Sequence, residues 1–205
     1  MDSTSKNLAI LLVIVAFIGG TFFMVQAIKN GRVQPAYATV WPSPMPLKTF
    51  SLVDHEGNEF TNARLRGKWS VIFFGFTNCP DICPATLQQL AIANKNLQDS
   101  GVDVPDIILV SVDPERDTPD VLATYVGHFA GEILGVTGEM PELTQLTSSA
   151  GIFFEKSELP NGDYVVDHSA AVLVINKDAA IHASFSAPHS VDNFVHDFPV
   201  LMGSN

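Results

Sequence analysis

The hydrophobic pattern divides the chain into two unlike parts. Residues 8–28, LAILLVIVAFIGGTFFMVQAI, carry no charge, and about 20 apolar residues in a helix are enough to cross a bilayer. The run predicts an uncleaved transmembrane anchor behind a short tail at 1–7. It is longer than the apolar core of a cleavable signal, and the only small-residue site, at Ala36 and Ala38, lies well beyond it. Residues 29–46 follow with Pro35, Pro42, Pro44 and Pro46 and read as an extended, semi-rigid linker that holds a domain off the membrane.

From residue 47 to 205 the pattern changes to short alternating segments. TFSLVDHEGNEFT places a turn at Glu56-Gly57-Asn58 between two apolar runs, a hairpin signal. KWSVIFFGF and DIILVSVD are continuous β-branched and aromatic runs that suit strands buried on both faces. Between them, CPATLQQLAIANKNLQ puts Leu87, Leu90, Ala93 and Leu97 at helical spacing. Asp117-Thr118-Pro119 supplies capping residues and a first-turn proline for a helix over VLATYVGHF. LGVTG then reads as a short strand and PELTQLTSSAG as a helix. SAAVLVINKDAAIHASFS reads as two strands turning at Asn176-Lys177-Asp178, and SVDNFVHDFPVLM as a closing amphipathic helix. Alternating βαβ units that end in a hairpin and a helix predict an α/β domain, a mixed central sheet flanked by helices. With a cysteine pair in the loop from an early strand into a helix, a thioredoxin-like arrangement leads.

Composition narrows the function. The chain has a formal charge of −11, and residues 1–33 carry Lys6, Lys29 and Arg32 against Asp2, so the domain is more acidic than the whole. Such a surface speaks against nucleic acid as a partner, because phosphates need neutralising cations. Positive charge stands on both sides of the apolar run, so the charge rule leaves its orientation open. No Arg-rich, Ser-rich presequence precedes it, which points to a bacterial inner-membrane protein rather than an organellar one. The two cysteines, Cys79 and Cys83, are too few to staple a small scaffold, and a domain of this size needs no staple. Their role is expected to be chemical.

At CxxxC spacing on a helix the two sulfurs lie on one face, and the helix N-terminus favours thiolate. Pro80 and Pro84 stiffen the turn. Redox exchange is open to such a pair, although the familiar dithiol motif has two intervening residues and this one has three. Metal binding is open as well: two thiolates suit Cu(I) or zinc, and a mononuclear site wants a third donor. Of six histidines, His168 stands out, at the mouth of a buried strand in VVDHSAAVLVI with Asp167 beside it.

TNCPDICP at 77–84, VDPERDTP at 112–119 and VDHSAA at 166–171, in that order behind an N-terminal anchor, resemble the Sco (SenC/PrrC) proteins. The resemblance covers roughly residues 45 to 200. It implies a membrane-tethered thioredoxin-like domain facing the periplasm or the mitochondrial intermembrane space, copper bound as Cu(I) or Cu(II) through Cys79, Cys83 and His168, and a role in building the dinuclear copper centre of cytochrome c oxidase. The implied partners are the copper-centre subunit of the oxidase and a periplasmic copper donor or thiol reductant. Oxidation of Cys79 and Cys83 to a disulfide would remove both thiolates and release the metal. Asn78 stands where many relatives carry histidine. Asp81, between the cysteines, and Asp113, at a strand end, are read as shaping the site or its docking surface. A metallochaperone is the first reading, a thiol-disulfide oxidoreductase acting on the oxidase subunit's cysteines the second, and a redox or copper sensor the third.

Overall fold

The computed structural model describes residues 3–30, 34–160 and 162–203, with the side chains of 3–10 and 25–30 excepted. Helix α1 (Ser3–Asn30) belongs to one unit and the chain from Pro35 onward to another. The anchor expected over 8–28 falls partly outside the described side chains, and among the described residues no helix is long and apolar enough to cross a membrane.

The second unit starts earlier than residue 47. Part of the expected spacer is strand β1 (Thr39–Pro46), which pairs antiparallel with β10 (Ala180–Phe185) through Thr39 and Val40 at one end and Met45 and Pro46 at the other. The register shifts between Val40 and Met45, and Pro42 and Pro44 sit in that gap, where an edge strand tolerates residues that cannot donate. Just upstream, the amides of Ala36, Tyr37 and Ala38 donate to the buried Asp197 carboxylate at 2.8, 2.8 and 2.7 Å. Residues 36–46 are therefore docked on the domain, because β10 and the Asp197 carboxylate supply partners that a linear reading of the chain cannot.

The remaining elements follow the expected alternation. The hairpin β2 (Ser51–Asp54) and β3 (Glu59–Thr61) turns at Gly57, whose φ of 86° favours glycine. A short helix α2 (Asn62–Leu65) leads to β4 (Ser70–Gly75), all six residues of which are buried. Then come α3 (Ile82–Asp99), β5 (Asp106–Ser111), α4 (Pro119–Val126), β6 (Ile133–Thr137) and α5 (Met140–Ala150). Thr118 caps α4 and Pro119 opens it, as the sequence predicts. β9 (Val172–Ile175) and β10 form the expected hairpin, and α6 (Val191–Met202) closes the chain.

Eight strands form one mixed sheet in the order β1-β10-β9-β4-β5-β6-β2-β3. β4, β5 and β6 are parallel, and β9 runs antiparallel to β4. Two strands stand apart: among the described residues β7 (Phe154–Glu158) and β8 (Tyr164–His168) pair only with each other. The pattern reading assigned no element to this hairpin. Its signal was the Asn161-Gly162 dipeptide between two half-polar runs, a hairpin turn signature. The carboxyl ends of β4 and β5, next to this hairpin, lead into the cysteines and the buried Asp113 and Asp117, at the place where ligands commonly bind in parallel sheets.

Candidate metal centre

The sulfur side grows out of the central strand. β4 ends at Gly75, and a Cβ there would stand 2.9 Å from Cys83 Sγ and 3.1 Å from the Phe73 ring, so only glycine admits the sulfur this close. The chain then passes Thr77, whose amide and hydroxyl donate to the buried Asp117 carboxylate at 2.9 and 2.6 Å. Ser111 at the end of β5 donates to the same carboxylate at 2.6 Å. The Cys79 amide closes a turn onto the Phe76 carbonyl at 3.3 Å.

Cys79 lies ahead of α3 and Cys83 is the second residue of the helix, which corrects the expectation that both sulfurs ride one helical face. Pro80 disfavours helical backbone at the residue before it, and Asp81, at the helix boundary, has a non-helical φ of −140°. The sulfurs converge because the loop folds back over the helix start. Both cysteines are buried free thiols.

The imidazole side comes from the end of β8. His168 packs edge-on against Phe73 and Phe76, with ring centroids at 5.9 and 5.7 Å. Its Nδ1 lies 3.1 Å from the Ser169 carbonyl and its Nε2 lies 3.3 Å from Cys83 Sγ. A carbonyl can only accept, so Nδ1 carries the proton and the Nε2 lone pair faces the thiol. Cys79 Sγ, Cys83 Sγ and a ring nitrogen of His168 lie within 4.8 Å of one another, the one such donor group among the described residues.

Burial dominates the electrostatics. It pushes the Cys83 thiol well above its ordinary value, against a smaller opposing effect of the Phe76 backbone, so the helix N-terminus does not make Cys83 a thiolate in the metal-free protein. Burial also lowers the His168 pKa, against the Ser169 carbonyl and Asp167, and keeps the ring neutral near pH 7. A neutral imidazole beside two sulfurs is a donor set for a soft, two- or three-coordinate metal ion, and the residues present fit copper in its soft Cu(I) form.

Asp113 does not reach the donor cluster. It is buried, accepts the Tyr164 hydroxyl at 2.7 Å and pairs with Arg116. Burial and this carboxylate push the Tyr164 hydroxyl pKa up to about 12. Arg116 lies over the Tyr164 ring at 3.7 Å and donates to the Tyr164 carbonyl at 3.2 Å. Asp81 is exposed and its side chain makes no capping bond to α3, so nothing brings it into the cluster. The other five histidines lie elsewhere: His55 Nδ1 accepts from the Gly135 amide, His128 follows α4 with its amide on the Tyr125 carbonyl, His182 packs on Trp69, His189 bonds to the Ala170 carbonyl, and His196 pairs with Asp197. Sequence reasoning missed Gly75, Asp117 and Tyr164. Gly75 stood unremarked in KWSVIFFGF, and Asp117 stood in VDPERDTP, where it passed for a helix cap.

Beside the donors an open groove of about 630 Å³ is lined by Cys79, Ile82, Arg116, Leu159, Val165 and His168, among others. Comparison with known proteins agrees with this geometry. The mitochondrial SCO1 homolog 1 of Arabidopsis thaliana is 39% identical over 145 residues, 70% of this chain and 43% of that protein, so the chain spans less than half of that relative. The structure of Bradyrhizobium japonicum ScoI with copper bound is similar at a TM-score of 0.68 and 30% identity, over 75% of this chain and 97% of that one. The solution structure of apo Sco1 from Thermus thermophilus is similar at a TM-score of 0.74 and 32% identity, over 84% and 100% of the two chains. Residues 44–202 match the SCO1/SenC family, and the chain belongs to it.

Proposed function

We propose that this protein is a copper chaperone that holds Cu(I) or Cu(II) through Cys79, Cys83 and His168 and serves assembly of the dinuclear copper centre of cytochrome c oxidase. The observation that carries the reading is the approach of two sulfurs and a ring nitrogen to within 4.8 Å. Copper is cargo here: the thiolates satisfy Cu(I), and the imidazole extends the set to Cu(II). Copper bound to the related ScoI supports the choice of metal. The open groove beside Cys79 would let an acceptor's thiolates approach the ion for ligand exchange. The reading also places residues 8–28 in a bacterial inner membrane and the domain in the periplasm, with the copper-centre subunit of the oxidase as acceptor and a periplasmic copper donor upstream. A reporter fused after residue 205, active only in the periplasm, tests that topology.

The test of the site is a titration of the reduced full-length chain in detergent with Cu(I) against a competing chelator. One tight equivalent of Cu(I) is expected, weakened strongly by Cys83→Ser, and a parallel Cu(II) titration should be weakened strongly by His168→Ala. Weak binding, or binding indifferent to both substitutions, would sink the chaperone reading. A second reading, thiol-disulfide reduction of the acceptor's cysteines, is favoured by one observation: both cysteines are free thiols in one site. Each cycle would pass two electrons and two protons to the acceptor's disulfide, leave Cys79 and Cys83 joined, and require an external thiol reductant. His168→Ala leaves that exchange largely intact and so separates the two readings.

A further inference from the structure

The turn between β5 and α4 contains two buried carboxylates, Asp113 at 3% exposure and Asp117 at 0%, four residues apart and joined by a bond from the Asp117 amide to the Asp113 carbonyl at 2.9 Å. Buried carboxylates are costly unless their partners satisfy them. The partners here lie on opposite halves of the candidate metal site. Asp117 accepts from Thr77, two residues before Cys79. Asp113 accepts from Tyr164, the first residue of the strand that ends at His168, while Arg116 stacks on the Tyr164 ring and bonds its carbonyl.

From this we infer that the turn is a two-armed bracket: Asp117 with Thr77 positions Cys79, and Asp113 with Arg116 and Tyr164 positions His168, so the two arms control different oxidation states of the bound copper. The inference rests on the proposed copper site. Among the described residues β8 pairs with no strand except β7, and a two-stranded hairpin is marginal by itself. The Arg116 and Tyr164 contacts, together with the Lys156–Glu115 pair at 2.6 Å, tie its far end to the turn between β5 and α4. Cu(I) is satisfied by the two thiolates, whereas Cu(II) draws on the imidazole. Loosening the hairpin arm should cost Cu(II) and spare Cu(I), and disturbing the loop arm should cost both. Tyr164, Arg116 and Thr77 are positioning residues in this scheme, since none of them is a donor.

The experiment uses the full-length chain in detergent with Tyr164→Phe, which keeps the ring under Arg116 and removes only the bond to Asp113. Arg116→Lys, which keeps charge but loses the planar stack, and Thr77→Val are its companions. In the metal-free protein, Tyr164→Phe and Arg116→Lys should speed amide exchange over residues 165–169 about tenfold or more, the scale of a lost hydrogen bond to a charged group, with α3 unchanged. Cu(II) affinity, read from the thiolate charge-transfer band, should fall about tenfold, while Cu(I) affinity and the dithiol midpoint potential stay put. Thr77→Val should lower both affinities and move the potential. Unchanged exchange in Tyr164→Phe, or equal losses of Cu(I) and Cu(II) affinity in it, would overturn the bracket. A wild-type chain that takes up no copper would instead remove the proposed function, and the exchange rates of the metal-free protein would still decide whether the hairpin is held by this arm.

Discussion

The two halves of the candidate metal site are built to different standards. The sulfurs belong to the core: every residue of β4 is buried, the strand is paired on both sides, and Cys83 Sγ rests against Gly75. The imidazole belongs to a hairpin of which only Val166 is buried, with Val165 43% exposed. Stability in a fold is local, and segments with few buried contacts open first. The donor set thus joins a stiff dithiol to an imidazole whose support costs much less to disturb.

The largest break in that contrast should come from the stiff side. Phe73 is fully buried, its ring lies beside Gly75 and it packs edge-on against His168. Phe73→Ala should lower global stability by about 3–5 kcal/mol, read as an earlier denaturation midpoint for the whole domain. A loss confined to the neighbourhood of the site would mean that the sulfur side is not integral to the core. Gly75→Ala is smaller and more pointed. The added methyl meets Cys83 Sγ at 2.9 Å, and overpacking costs about 1–3 kcal/mol. The sulfur must shift, so Cu(I) affinity should drop with it in a chelator competition, even though no donor atom has been removed.

The same contrast explains what could be read from the sequence. KWSVIFFGF announces a doubly buried strand because its apolar run is a local property, and the helix after it shows in the spacing of Leu87, Leu90 and Leu97. Cys79, Cys83 and His168 could be named from their motifs, and the fold brings all three together. The misses depend on distant partners. β1 is a strand only because β10 offers an edge, and residues 36–38 are ordered by a carboxylate about 160 positions away. Tyr164 gains its meaning from Asp113 across 51 residues, and Gly75 from a sulfur folded back over it. Burial also reversed a local expectation: the helix start alone argues for thiolate at Cys83, and desolvation wins.

On the hairpin, Val166→Ala sharpens the comparison from the other side. Val166 is 7% exposed and is the buried residue of β8. Removing two carbons costs about 1.5 kcal/mol of apolar burial. That loss should appear as faster amide exchange over 154–168 and weaker Cu(II) binding, with the global denaturation midpoint nearly unmoved. A fall in the midpoint comparable to that of Phe73→Ala would show that the hairpin unfolds only with the core, and the asymmetry would be gone.

Protons separate the two halves most finely. Metal binds thiolate and neutral imidazole, so any proton present on a donor must leave when copper enters. Burial raises the Cys83 pKa, which keeps this thiol protonated at neutral pH, and lowers that of His168, which keeps the ring neutral there. Copper entering near pH 7 should therefore release a proton from Cys83 and none from His168. Affinity should rise with pH by about tenfold per unit from this thiol alone, the slope of one displaced proton. His168 should compete only below its lowered pKa, on the acid side of about 6.5. The measurement is a Cu(I) titration of wild type and His168→Ala from pH 6.5 to 8.5, with proton release followed in weak buffer. Parallel slopes in the two proteins are expected. A slope that flattens in His168→Ala would mean that the ring carries a proton in the metal-free site, and that its neutral lone pair does not face Cys83 before the metal arrives.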